Sequence, residues 1–503
     1  MIIQKAEELA NQKNRQLSSV QISLIHQDVS EFEQIAQQIE KLSYLTTLAI
    51  HQKDQYWSNK LIEDTLLLLK GIIKFTSIST LSIQLHKQEM TRTHFQQLET
   101  IFVEFKNLEN LKLHFQYCQF DEDSLDFIKF DKMNLLCDLQ INLSQNNLTA
   151  FEIKNVSKSI QSCKNLKSLS LIFRDNRIRD FDLSYLAESL IYLKDLRSLL
   201  LNLSNNFLEE DGISELIGTL SHLQALNNLH IDISQNNIGN SRILKLAEKL
   251  GNLERLMSLN LELNSSFFGK YCLPLLLREL QKCEKLTSLR INQNSDFIVN
   301  DFEECELVYV LDFEQQISFQ RLLKLDFTFP KLQSTQFSQI TQVMLKIQNL
   351  SHLRLDIKHI QINKEAAKNL ILLFNQNQSL KYLNLNLQFN TIEKQDIISL
   401  FQAIQHFQNL NYLILELLEN LMDDEILQEI GNILEKQKQI YQLVIFVTKT
   451  SFTNEGYEQL VNQIKKMKNL RQLQFYFNLN FAAKKVNQLF QKHRKLVNLL
   501  SYN

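Results

Sequence analysis

Catalysis, metal binding or phosphate binding in this chain of 503 residues would have to rest on its eleven histidines, six cysteines and eight glycines. A phosphate cradle needs glycines close together, so that backbone N–H groups can approach the anion. Gly71, Gly212, Gly218, Gly239, Gly251, Gly269, Gly431 and Gly456 show no G-x-G spacing, which excludes the Walker, Rossmann and kinase glycine loops. Cys118, Cys137, Cys163, Cys272, Cys283 and Cys305 form no C-x-x-C pair and are too sparse for a disulfide scaffold; they read as small buried apolar residues. Neither H-E-x-x-H nor G-x-S-x-G is present. His114 and His230 are scattered residues of a solvated surface rather than members of a catalytic pair. The expectation is a non-enzyme with no cofactor, no metal and no small-molecule substrate.

Charge points to binding instead. The formal net charge is only −2, yet no acidic residue follows Glu458. Lys465, Lys466, Lys468, Arg471, Lys484, Lys485, Lys492, Arg494 and Lys495 accumulate there, beside Phe475, Tyr476 and Phe477. Such a basic, aromatic end suits RNA or an acidic polymer such as tubulin-like tails. The competing reading is a charged cap that closes the fold. A second cluster sets Asp296, Asp301, Glu303, Glu304, Glu306, Asp312 and Glu314 among Phe297, Phe302, Tyr309 and Phe313; it has neither the spacing nor the glycine of a calcium loop.

The elements that position these residues come from a repeat. L-x-x-L-x-L-x-L-x-x-N recurs in steps of about thirty residues. Its clearest copies are Leu166-Leu169-Leu171-Phe173-Asn176, Leu196-Leu199-Leu201-Leu203-Asn206 and Leu226-Leu229-Ile231-Ile233-Asn236. Seventeen candidate units begin their alternating triplets at Val20, Leu48, Leu81, Leu111, Leu139, Leu169, Leu199, Leu229, Leu259, Leu289, Leu325, Leu353, Leu383, Leu413, Leu443, Leu473 and Leu499. The triplet alternates with the period of a strand, and apolar residues at Leu183, Leu186, Leu190 and Leu193 then follow the period of a helix. Strand, turn and helix repeat, so the strands must run parallel. Strands sit about 4.8 Å apart and helices roughly 8–10 Å, which bends the stack with strands inside.

One polar position closes each strand: Cys118, Asn146, Asn176, Asn206, Asn236, Asp296, Asn390, Asn420, Thr450 and Asn480 share a phase. The ladder lapses at Ser266, Leu332 and Ile360. Asn at such a turn both donates to and accepts from buried backbone.

These features resemble leucine-rich repeats of the ribonuclease-inhibitor-like type, with Glu209-Glu210-Asp211-Gly212-Ile213 among the supporting segments. The resemblance covers essentially the whole chain. It implies an α/β fold, a curved solenoid or horseshoe with parallel strands on the concave face and helices on the convex face. It also implies a surface for protein partners, since such arrays serve unrelated interactions, and an alternative role like that of leucine-rich-repeat activators of small GTPases. The composition, rich in Gln, Asn, Lys and Ile, resembles ciliate leucine-rich-repeat arrays.

The expected organisation is one domain, 1–503, of about seventeen units. Residues 1–80, with Trp57, read as degenerate N-terminal cap units; 295–320 as an acidic and aromatic insertion; and 459–503 as a basic C-terminal cap. No apolar run approaches the roughly 20 residues that span a bilayer, and the polar start is unlike a signal peptide. The cytoplasm, or a ciliary or other large assembly, is the expected location, with no membrane partner.

Between the apolar strand positions, the central concave surface offers Asn202, His230, Asp232, Asn260, Glu262, Arg290, Asn292, Asp326, Arg354, Asp356, Asn384 and Asn386. Arg354 is placed to pair with Asp326. Toward the C-terminal end Ile414, Leu418, Val444, Phe446 and Tyr476 take outward positions and form a candidate partner-binding patch. The competing reading buries them under a differently curled cap. The expected function is a non-catalytic protein–protein interaction scaffold, with RNA or ribonucleoprotein binding by the basic end as the alternative.

Overall fold

The computed structural model describes residues 2–3, 17–24, 29–39, 41–42, 44–52, 60–73, 77–120, 129–209, 211–238, 243–264, 272–294, 319–330, 332, 334–390, 392–420, 422–447, 452–478 and 496–502. Two compact units divide the chain at Leu256. In the first, strands β1 (Ile2–Ile3), β2 (Ser19–Leu24), β3 (Thr47–Gln52), β4 (Thr80–His86), β6 (Asn110–Gln116), β8 (Asp138–Asn142), β9 (Ser168–Ile172), β10 (Ser198–Asn202) and β11 (Asn228–Asp232) pair in parallel in that order. The short strands β5 (Glu89–Met90) and β7 (Gln119–Phe120) pair separately. Helices α1 (Val29–Ile39), α2 (Lys60–Ile72), α3 (Arg92–Glu104), α4 (Ala150–Gln161), α5 (Asp180–Leu190), α6 (Asp211–Leu220) and α7 (Ile243–Gly251) alternate with the strands.

In the second unit, strands β12 (Ser258–Glu262), β13 (Ser288–Asn292), β14 (Lys324–Thr328), β15 (His352–Asp356), β16 (Tyr382–Asn386), β17 (Tyr412–Glu416), β18 (Gln442–Phe446), β19 (Gln472–Asn478) and β20 (Leu496–Tyr502) again pair in parallel and in chain order. Its helices are α8 (Cys272–Leu280), α9 (Ser334–Met344), α10 (Lys364–Gln376), α11 (Lys394–Gln405), α12 (Asp424–Lys436) and α13 (Asn454–Lys465). Each unit is thus a leucine-rich-repeat solenoid, its described helices alternating with the strands in most coils.

Alternation builds the core. In β9, β10 and β12 the leucines at the second and fourth positions are buried and their neighbours half-buried. Leu169, Leu171, Phe173, Leu183, Leu186, Leu190, Leu193 and Leu196 of one coil are each at most 1 % exposed, so strand and helix share one apolar interior. The first leucines of successive triplets stand opposite one another, Leu169 with Leu199 and Leu383 with Leu413. The long step to Leu325 keeps this register, since Leu289 still faces Leu325; residues 295–318 of the expected insertion lie outside the described ones.

Two details differ from the repeat count. Leu473 faces Val497, and Leu499 faces Phe475, so the last copy starts two residues earlier than its leucine spacing suggested. A shift of two keeps every residue on its face, which is why alternation cannot detect it. Ile2–Ile3 also adds a strand before the Val20 copy. Trp57 lies outside the described residues.

A polar ladder joins the coils behind the strands. The Asn176 Oδ1 accepts from the N–H groups of Asn146 and Leu148, both at 3.0 Å, while its Nδ2 donates to the carbonyls of Leu143, Phe173 and Arg174. Asn206, Asn236, Asn390 and Asn420 repeat the donor half of this pattern. The residue before each, namely Gln145, Asp175, Asn205, Gln235, Phe389 and Glu419, is left-handed with φ between 51° and 64°, which turns the asparagine inward. That conformation costs about 1–2 kcal/mol for a residue with a Cβ, and the ladder's buried hydrogen bonds offset it. Cys118 and Ile360 keep the backbone part, their N–H groups donating to Asn146 and Asn390. Gln88 occupies the same phase one coil earlier and donates to the carbonyls of His86 and Lys87. Asp296, Thr450, Asn480 and Ser266 lie outside the described residues.

Helix starts are fixed locally and from the neighbouring coil. Thr91 and His94 form a capping box on α3, and the Asn363 and Asp423 side chains accept from N–H groups in the first turns of α10 and α12. Asp180, first residue of α5, accepts from the N–H groups of Glu209 and Gly212 at the start of α6. Asp424 likewise holds Thr453 ahead of α13. Gly212 permits the first contact, because a Cβ there would lie 2.5 Å from the Asp180 Cα.

Candidate interaction surface

The strand face of the second unit divides into two chemically distinct halves. On β12 to β15 its centre is charged. Arg290 reaches the carboxylates of Glu262 at 3.4 Å and Asp326 at 3.7 Å, and Arg354 stands 3.7 Å from the same Asp326 oxygen. The expected Arg354–Asp326 pair is therefore present, with a second arginine on its other side. Burial still raises the Asp326 pKa above the usual carboxylate value, against the attraction of both arginines. These ions neutralise one another, and a partly exposed network of this kind contributes little stability.

On β16 to β19 the face is aromatic, aliphatic and amide-bearing. Register places Asn384, Ile414, Val444 and Gln474 in one row and Asn386, Glu416, Phe446 and Tyr476 in the next. The Phe446 and Tyr476 rings stack with centroids 3.9 Å apart and planes 5° from parallel. Ile414, Phe446 and Tyr476 are half-buried, as is Leu418 just beyond β17. Val444 is only 6 % exposed, so it forms the floor beneath its neighbours rather than a contact residue. Ile414, Val444, Phe446 and Tyr476 thus lie on three adjacent strands with Leu418 just beyond the first, and all but Val444 are reachable from outside.

A third row, at the starts of the strands, was not foreseen. His352, Tyr382 and Tyr412 stand side by side in register. Their rings contact in sequence, and Tyr412 packs edge-on against Tyr441 at 4.5 Å. The signal was available: the residue before the first leucine of the triplet is Ser168, Ser198, Ser258 and Ser288 in other coils, and becomes His352, Tyr382 and Tyr412 here. At the ends of the strands His359 stacks on Phe389, 4.1 Å apart and 8° from parallel, extending the aromatic surface beside Gln388.

Other sequence candidates fall elsewhere. Lys465 ends α13, Lys466 and Lys468 follow it, and Arg471 precedes β19, so all four lie at the helix-to-strand turn and not on the strand face. Lys466 pairs with Glu435 of the preceding coil at 3.2 Å. Cations at a helix C-terminus complement its dipole, which gives them a structural reason to be there. Lys484, Lys485, Lys492, Arg494 and Lys495 lie outside the described residues, as does Cys305. Cys118, Cys163 and Cys283 are buried, and burial pushes the Cys118 and Cys163 thiols up to about 12. Among the described residues no group of three or more His, Cys, Asp or Glu is placed to hold a metal ion, and no helix is long and apolar enough to cross a membrane. On the first unit's strand face His114 is half-buried, and burial, more than the neighbouring Lys112, lowers its pKa; Asn202 donates to Asp232 at 2.9 Å. That unit also exposes Phe151 and Phe181 at the starts of α4 and α5, and Phe207 in the turn before α6.

No family model and no curated protein matches this chain. Among solved structures that do match is the crystal structure of the Rad7 and Elc1 complex in yeast, at 17% sequence identity and a TM-score of 0.40, covering 84% of this chain and 84% of that one. A likeness of that strength adds nothing to the leucine-rich-repeat architecture that the strand register of each unit displays by itself.

Proposed function

We propose that this chain is a non-catalytic scaffold of the ribonuclease-inhibitor-like kind that binds a protein partner on the strand face of β16 to β19. The observation that carries the reading is the stacked Phe446–Tyr476 pair beside Ile414 and above Val444, on strands whose register is fixed by buried leucines on the other face. Rings held in this way lose little conformational entropy when a partner covers them, so more of the contact energy becomes affinity. Aromatic anchors of this type commonly contribute about 2 kcal/mol or more, roughly thirtyfold in affinity. A soluble life in the cytoplasm or in a large assembly fits this role.

The test is affinity purification from native lysate with mass spectrometry, comparing wild type with the Phe446→Asp, Tyr476→Asp double variant, each with and without RNase. The expected result is a protein partner that resists RNase and is lost with the substitutions while circular dichroism shows an intact fold. Recovery that depends on RNA and ignores the substitutions would move the function to the basic turn around Lys466.

A further inference from the structure

Among the described strand-face positions of β16 to β19, Glu416 carries the sole charge; the others are Tyr, Asn, Ile, Gln, Val and Phe. Its Cα partner on β18 is Phe446, so the carboxylate borders the stacked rings. Gln388 donates to it at 2.7 Å. Burial and the nearby Asp356 raise its pKa above the usual value, outweighing the pull of Arg354 and Lys358. A carboxylate in this position constrains the occupant. Any partner that covers Phe446 and Tyr476 also strips water from Glu416, and an apolar partner would leave a buried charge with only the Gln388 amide and the pull of Arg354 and Lys358 to set against that cost.

We infer that the partner presents an arginine to this site, its guanidinium lying on the Phe446 face turned away from Tyr476 and its donors meeting the Glu416 carboxylate. Arginine suits the pair better than lysine. A planar, weakly hydrated guanidinium stacks on a ring and still offers donors in its plane, whereas an ammonium is a strongly hydrated point charge. Ile414 and Leu418 flank the same edge and can take the aliphatic stem, and the half-buried Gln388, through its side-chain carbonyl, can take a neighbouring peptide N–H. This inference rests on the scaffold reading above and specifies its partner.

The experiment selects short random peptides on the full-length chain and keeps those whose binding is abolished by Phe446→Asp with Tyr476→Asp. The expected result is that retained peptides carry an arginine. Replacing that arginine by citrulline, which keeps its shape and removes its charge, then lowers affinity for wild type about tenfold or more by fluorescence anisotropy. The same exchange has little effect on binding to Glu416→Gln, a variant that alters no buried leucine. Retained peptides without arginine, or an equal citrulline effect on both proteins, would overturn the arginine assignment and leave the scaffold standing. Failure to retain any peptide dependent on Phe446 and Tyr476 would overturn both.

Discussion

Replacing Asn176 by leucine tests whether the coils are joined by the asparagine ladder rather than by apolar packing alone. The substitution removes five hydrogen bonds between 2.9 and 3.3 Å. Not all of their partners are orphaned. The Phe173 carbonyl keeps the Asn206 amide, and the Arg174 carbonyl keeps the N–H of Gln145. Left behind are the N–H groups of Asn146 and Leu148 and the carbonyl of Leu143, all buried. At about 1–3 kcal/mol for each unsatisfied group, the loss comes to roughly 3–9 kcal/mol, a large part of a typical domain stability of about 5–15 kcal/mol. Asn165→Ala in the same coil is the control; its amide donates to the Asn134 carbonyl at an exposed site, and its loss should cost under about 1 kcal/mol. Urea unfolding followed by circular dichroism measures the difference, and hydrogen exchange with mass spectrometry locates it. Peptides covering 143–150 should lose protection first. A loss below about 1 kcal/mol for Asn176→Leu, or unchanged exchange in that segment, would refute the reasoning, since unpaired buried backbone would then be nearly free.

Other consequences follow from single contacts. Gly212→Ala places a methyl against the Asp180 backbone and should destabilise the first unit by about 1–3 kcal/mol, whereas Gly218→Ala, which meets only the flexible Lys249 side chain, should be neutral or stabilising in the same urea titration. Glu416 has its pKa raised in the folded state, so the folded protein holds the extra proton above the usual carboxylate value and stability falls as pH rises through the folded pKa. Glu416→Gln should therefore flatten that part of the stability–pH curve and raise stability at neutral pH. The thiols of Cys118 and Cys163, buried and with pKa about 12, should resist a disulfide reagent at pH 8 until the chain unfolds, while half-buried Cys137 reacts sooner, as read by peptide mass mapping.

The repeat was legible because two constraints coincide in each coil. Leucines at alternate positions must face one interior, and an asparagine must turn the chain behind them; Leu169 with Asn176 and Leu199 with Asn206 carry both, so strand, turn and register could be read together. Where only one constraint acts, the reading loosens. β20 has apolar residues spaced by two, Val497 and Leu499, but no described ladder residue, and either satisfies the alternation. Gln88 keeps part of an asparagine's donor role through a longer side chain and falls outside the pattern of Asn, Cys, Asp and Thr. Surface chemistry was less legible for another reason. Tyr382 and Tyr412 look like isolated substitutions in sequence and become a row only when neighbouring coils align them about 4.8 Å apart. Val444 is outward by alternation yet covered, because exposure on a strand face depends on the bulk of neighbouring residues, here Ile414 and Gln474 in the adjoining coils and Phe446 on the same strand.

In the proposed function, the strand face of β16 to β19 is where a partner docks. Hydrogen exchange with mass spectrometry on the full-length chain, alone and with its recovered partner, tests this most directly. New protection should fall on peptides spanning Tyr412–Glu416, Gln442–Phe446 and Gln472–Tyr476, with the helices unchanged. Protection confined to the helices or to the basic turn at 465–471, with those strands unaffected, would contradict it.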